Sequence, residues 1–94
     1  SRVKHVHLKD CDAAAAARIQ NRTSTYSTEV KNGMYKPLGQ GDAQISEVIR
    51  FLDGINYEGK LVLEQDVMLD HAPAVGAGPI SAVKESIDFL KSLL

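Results

Sequence analysis

The chain has 94 residues, a formal net charge of -1, 24 % charged residues and 44 % apolar residues. This composition is that of an ordinary soluble globular domain, and it excludes a polyanion binder, because there is no basic excess to neutralise phosphates. No apolar run approaches the roughly 18 residues a membrane span needs, and the single Cys11 has no partner for an internal disulfide, which suits a reducing cytoplasm without a signal peptide.

Residues 3–9 read as a first strand, entered with only Ser1-Arg2 ahead of it, so a piece of a longer protein is expected. Side chains alternate faces along a strand, so His5, His7 and Lys9 project one way while Val6 and Leu8 project the other. Asp12 can cap a strongly helix-forming run, Ala13–Gln20. A second short helix is expected over about 25–32, stopping at Gly33 in a left-handed cap. Pro37, Gly39 and Gly41 punctuate a loop over residues 34–42. Ile45, Val48, Ile49 and Leu52 recur at helical spacing, with an end near Gly54 and Ile55 packing beyond it.

After a turn at residues 56–59, Lys60–Asp66 reads as a second strand, and Leu61-Val62-Leu63 suits burial on both faces. Residues 67–79 form a long loop, and residues 80–93 a last amphipathic helix with Val83, Ile87, Leu90 and Leu94 on one stripe. The order strand, helices, strand, helix defines an α/β chain whose strands can pair in parallel through a right-handed crossover. Two such strands cannot close a core alone, so further strands are expected from more chain or from partners.

The chemistry gathers at the strand ends. His5 and His7, two apart on one face, can chelate a metal, or divide between a ligand and a substrate contact; the plain alternative is two hydrogen-bonded histidines. Glu64 follows a buried apolar run, where a carboxylate is costly unless paired or metal-bound. Sites in parallel sheets lie at the carboxyl ends of the strands. His7 and Glu64 are read as occupying equivalent places there, and a mixed histidine and carboxylate set suits manganese, cobalt, iron or zinc. Lys9, on the His7 face, could hold a substrate oxygen or be a plain surface lysine.

Asp10 faces away and is read as a loop cap, and Asp66 as a rim hydrogen-bonding group. Gly39-Gln40-Gly41 lacks the third glycine or lysine of a phosphate loop and reads as a tight turn. His71 reads as a solvated loop residue, and Cys11 has no catalytic partner nearby in sequence.

Arg2–Asp10, Pro37–Asp42, Tyr57–Asp66 and the closing helix together resemble the C-terminal part of the inosose dehydratases, members of the xylose-isomerase-like sugar isomerase and epimerase TIM barrels. The resemblance covers nearly the whole chain, and the long helical insert before Pro37 agrees with it. It implies units seven and eight of a (β/α)8 barrel, which typically needs about 250 residues. It further implies a divalent metal, with manganese or cobalt ahead of zinc, iron or magnesium. His7 and Glu64 would be ligands, and a Glu and an Asp would come from elsewhere.

The implied reaction is dehydration of 2-keto-myo-inositol in myo-inositol catabolism. Glu64 would assist proton transfer, although an upstream Glu is an equally good base, and Lys9 and His5 would steady substrate hydroxyls or an enediolate. The implied partners are a small cyclic polyol ketone or ketose and the remainder of the barrel, with a homo-oligomer admitted and no nucleic acid or membrane. An epimerase on the same barrel, or a non-catalytic barrel fragment, are the competing readings.

Overall fold

The computed structural model describes residues 2–94. In chain order it contains β1 (His5–Leu8), β2 (Asp10–Cys11), α1 (Ala13–Gln20), α2 (Tyr26–Lys31), β3 (Tyr35–Lys36), α3 (Ile45–Gly54), β4 (Lys60–Leu63) and α4 (Ile80–Leu93). The chain is α/β, as the sequence indicates. β1 and β4 pair in parallel with His5 opposite Lys60 and Leu8 opposite Leu63, while β2 and β3 pair antiparallel. Among the described residues neither outer edge of the β1–β4 pair meets another strand, and no helix is long and apolar enough to cross a membrane.

Both expected strands are shorter than their apolar patterns suggest. The first ends at Leu8, because the chain turns at Lys9 so that Asp10–Cys11 can pair with Tyr35–Lys36. The second ends at Leu63 rather than Asp66, although the Glu64 amide still donates to the Leu8 carbonyl at 3.0 Å. Leu61-Val62-Leu63 is half-buried rather than enclosed on both faces. Leu61 and Leu63 join Val6 against the buried Leu8, Leu38, Ile45 and Ile49, together with Phe89, Leu90 and Leu93 of α4. Helices therefore cover one face of the β1–β4 pair, and the other face carries the polar side chains.

The helix signals held. Asp12 caps α1 through the Ala14 amide, Asp42 accepts from the Ala13 amide at 2.8 Å, and Gly33 closes α2 at φ 87°. Two faces are rotated from expectation. In α3 Ile45 and Ile49 are buried, but Val48 is exposed and Ile55 beyond the helix does not pack. In α4 Leu90 packs on the core as expected, but Ile87 and Leu94 face outward, and the packed face runs through the fully buried Ser86 and the half-buried Phe89, Leu90 and Leu93. The cause is a polar dock: the Leu38 amide donates to Ser86 Oγ at 2.9 Å. Next to it the Phe89 ring lies where a Cβ on Gly39 would be, so glycine is required there by contact as well as by φ 89°.

A second small cluster, Ala15, Val30 and Met34 with Ile19 and Tyr35, holds α1, α2 and β3 together. Beside it Arg18 grips the buried Glu29 with two hydrogen bonds of 2.8 and 2.9 Å. The Arg18 guanidinium, and then Ser24, hold the Glu29 carboxyl at about 2, below the ordinary 4.5. A depressed carboxyl stabilises the fold fully above the unfolded value, and that contribution is lost as pH falls through the folded value. Glu29→Gln is therefore expected to lower the thermal midpoint at neutral pH, and its gap from wild type should close as pH falls from 4.5 toward 2. Thermal scans across that range check this; a gap of constant size would reject it.

Candidate active site

Four of the sequence-selected residues meet at the carboxyl ends of β1 and β4. His7 Nδ1 lies 3.3 Å from Glu64 Oε2, and Lys9 Nζ lies 3.6 Å from Glu64 Oε1. Lys9 Nζ also donates to Asp66 Oδ2 at 2.6 Å. Period-two alternation produces this convergence, because the residues next to His7 and Lys9 turn their side chains into the core. Asp66 is a hydrogen-bonding group at the rim, as the sequence indicates.

The register corrects one detail. His7 lies opposite Val62, and Leu8 opposite Leu63, so Glu64 is level with Lys9 and reaches His7 diagonally. His7 and Glu64 do not occupy equivalent places. Glu64 instead presents one oxygen to the imidazole and the other to the ammonium. His5, on the same face two residues earlier, is exposed, and among the described residues its side chain accepts and donates no hydrogen bond. His71 is exposed, and Cys11 is a free, half-buried thiol.

Lys9 is held protonated. The hydrogen bond to Asp66 is the main cause, opposed by desolvation and reinforced by the charges of Asp66 and Glu64, and it raises the lysine above its usual 10.5. At neutral pH the group is therefore a cation and a hydrogen-bond donor, not a base. Beside the His7 imidazole, the cluster sets two carboxyl groups, Glu64 and Asp66, around the one ammonium of Lys9. Among the described residues no three His, Cys, Asp or Glu side chains converge as a metal site. His7 and Glu64 provide two convergent donors of the types that divalent transition metals accept. They fit part of the ligand set that the sequence resemblance implies.

Two residues gain roles that local sequence does not reveal. Asp10 faces away and caps a loop as expected, but the loop it caps is distant in sequence: it is 1 % exposed and accepts from the amides of Cys11, Gly39, Gly41 and Ala43 at 2.9 to 3.1 Å. The Gly-rich loop thus spends its amides on an internal carboxylate instead of a phosphate, and the reading of Gly39-Gln40-Gly41 as a turn leading to α3 stands. Tyr35 lies with its ring centroid 4.1 Å from Lys9 Nζ. No spacing in the sequence links these two; only the β2–β3 pairing brings them together. The cavity of about 350 Å³ bounded by Val3, Lys4 and residues 55–59 is at the amino end of the strands, away from this chemistry.

Comparison with known proteins agrees with the resemblance read from the sequence. The chain is 30 % identical over 91 residues to inosose dehydratase of Clostridium perfringens, covering 97 % of this chain and 29 % of that enzyme. It is 28 % identical over 95 residues to inosose dehydratase of Mesomycoplasma hyopneumoniae, covering 100 % of this chain and 30 % of the enzyme. Against the Clostridium botulinum enzyme the identity is 31 % over 65 residues, 69 % of this chain and 22 % of that enzyme. No protein-family model matches the chain, and no solved structure matches it significantly. The chain spans under a third of the length of these curated relatives. Nearly the whole of it is similar in sequence to a part of inosose dehydratase.

Proposed function

We propose that the chain belongs to a lyase that removes water from 2-keto-myo-inositol in inositol catabolism, and that β1 and β4 are the last two strands of its TIM barrel. One observation carries the reading. In a chain similar to inosose dehydratases, His7, Lys9, Glu64 and Asp66 come together at the carboxyl ends of two parallel strands, where sites in such sheets lie.

Under this reading His7 and Glu64 would hold a divalent metal, manganese or cobalt by preference, with further ligands from elsewhere in the barrel. When bound, it would supply Lewis acidity that makes the proton beside the ketone easier to remove. The protein groups do the remainder. The Lys9 ammonium, fixed as a cation by Asp66, donates to the substrate oxygen on which negative charge grows. Glu64 accepts the proton from the carbon beside the carbonyl. The C–H electron pair becomes the new carbon–carbon double bond, the bond to the β-hydroxyl breaks, and that hydroxyl takes the proton held by Glu64 and departs as water, which returns Glu64 to its carboxylate form. His5 faces the same side and binds a substrate hydroxyl.

The direct test is to incubate the purified full protein with 2-keto-myo-inositol and added manganese or cobalt. Water loss is the expected result, seen by mass spectrometry as a product lighter by one water. Epimerised starting material of unchanged mass would assign the protein to the sister reaction and overturn the dehydratase reading. An unchanged substrate would overturn both.

A further inference from the structure

The site cation is held from three sides. Asp66 and Glu64, the two carboxylates on Lys9, have side chains 53 % and 41 % exposed. Hydrated carboxylates of this kind can follow a flexible lysine through several rotamers, so they do not by themselves fix where its ammonium sits. The third side is the face of Tyr35, centred 4.1 Å from Nζ.

That ring is itself immobilised. Tyr35 pairs with Cys11 in the β2–β3 ladder, and its carbonyl accepts from Gln65 Nε2 at 3.4 Å. Its hydroxyl lies 2.9 Å from that of Tyr26, and the two rings meet edge to face with centroids 6.4 Å apart. Tyr26 opens α2, a helix capped by Thr25 and anchored through Val30 and Met34 to α1. A rigid support therefore runs from the helical insert to the cation of the site.

We propose that Tyr35 is a positioning residue: the insert α1–α2–β3 sets its ring against Lys9 and thereby fixes where the ammonium meets the substrate oxygen. This rests on the substrate-binding reading of Lys9. A cation over an aromatic face is attracted to it, and most strongly where water is excluded. A substrate-filled site strengthens the contact, so the effect belongs to the reacting complex more than to substrate capture.

The experiment compares wild type, Tyr35→Leu and Tyr35→Phe in the full protein. The first readout is the lysine ε-methylene NMR signal, assigned with Lys9→Arg. A ring-shifted Lys9 signal is expected in wild type and in Tyr35→Phe, and an ordinary one in Tyr35→Leu. The second is kinetics: Tyr35→Leu should lose about tenfold in kcat with KM within about twofold, and Tyr35→Phe should recover most of it. A Lys9 signal that ignores Tyr35→Leu overturns the proposal. So does a Tyr35→Leu protein that melts earlier but keeps its kcat. If the protein does not dehydrate the substrate while the NMR pattern holds, the functional reading falls and the fixing of Lys9 by Tyr35 stands.

Discussion

Replacing Glu64 by alanine is expected to lower kcat for 2-keto-myo-inositol dehydration by about three orders of magnitude, because one side chain would lose both its metal-holding and its proton-accepting roles. The fold should not change. The His7 and Glu64 side chains are 58 % and 41 % exposed, and an ion pair that open to solvent is worth about 0–1 kcal/mol. Lys9 would keep Asp66 at 2.6 Å, so no buried charge is orphaned. Activity and stability thus separate cleanly at this position. His7→Ala is expected to reduce bound metal and kcat together, whereas Glu64→Gln, which keeps shape and one acceptor, should retain more metal than Glu64→Ala but little activity. Metal analysis, steady-state kinetics and thermal unfolding on the three variants check this. Wild-type metal content and kcat in both alanine variants would remove His7 and Glu64 from the site.

The site face was legible because strand geometry has only one period to read. His5, His7 and Lys9 against Val6 and Leu8 could alternate in only one way, and the structure follows it. Helix limits were legible for a similar reason: Asp12 and Gly33 act within one turn of the residues they cap. What was not legible depends on partners far away in sequence. The first strand stops at Leu8 because β3, which starts 27 residues later at Tyr35, captures Asp10–Cys11. The packed stripe of α4 is rotated because an amide at Leu38 needs Ser86 and a glycine at position 39 makes room for Phe89. Hydrophobic spacing cannot register a helix that turns a serine inward to satisfy a loop. Tyr35 was invisible for the same reason, since its partner Lys9 is reached only through the β2–β3 pairing.

The largest stability loss is expected at Asp10, which no reaction step uses. Its Oδ1 accepts from the amides of Cys11 and Ala43, and its Oδ2 from those of Gly39 and Gly41. Asp10→Ala leaves these amides without an acceptor in a site that is 1 % exposed. Each buried donor left unpaired costs about 1–3 kcal/mol, and partial rehydration of the loop recovers some of it. A net loss of about 3–5 kcal/mol is therefore expected, a large share of the stability of an ordinary domain. Asp10→Asn is the sharper probe. It keeps the volume and one accepting oxygen, but turns an amino group toward two of the four amides, so roughly half of the loss should remain. Gly41→Ala should act through the same carboxylate, because its new Cβ would fall 2.5 Å from Asp10 Oδ1 and 2.6 Å from the Cys11 carbonyl. Urea unfolding of the three variants checks the order. If Asp10→Ala costs less than about 1 kcal/mol, the carboxylate is not what holds the loop. If the order holds, the glycine loop is an anion cradle filled by the chain's own aspartate, and the strand end bearing Lys9 is fixed from behind by it.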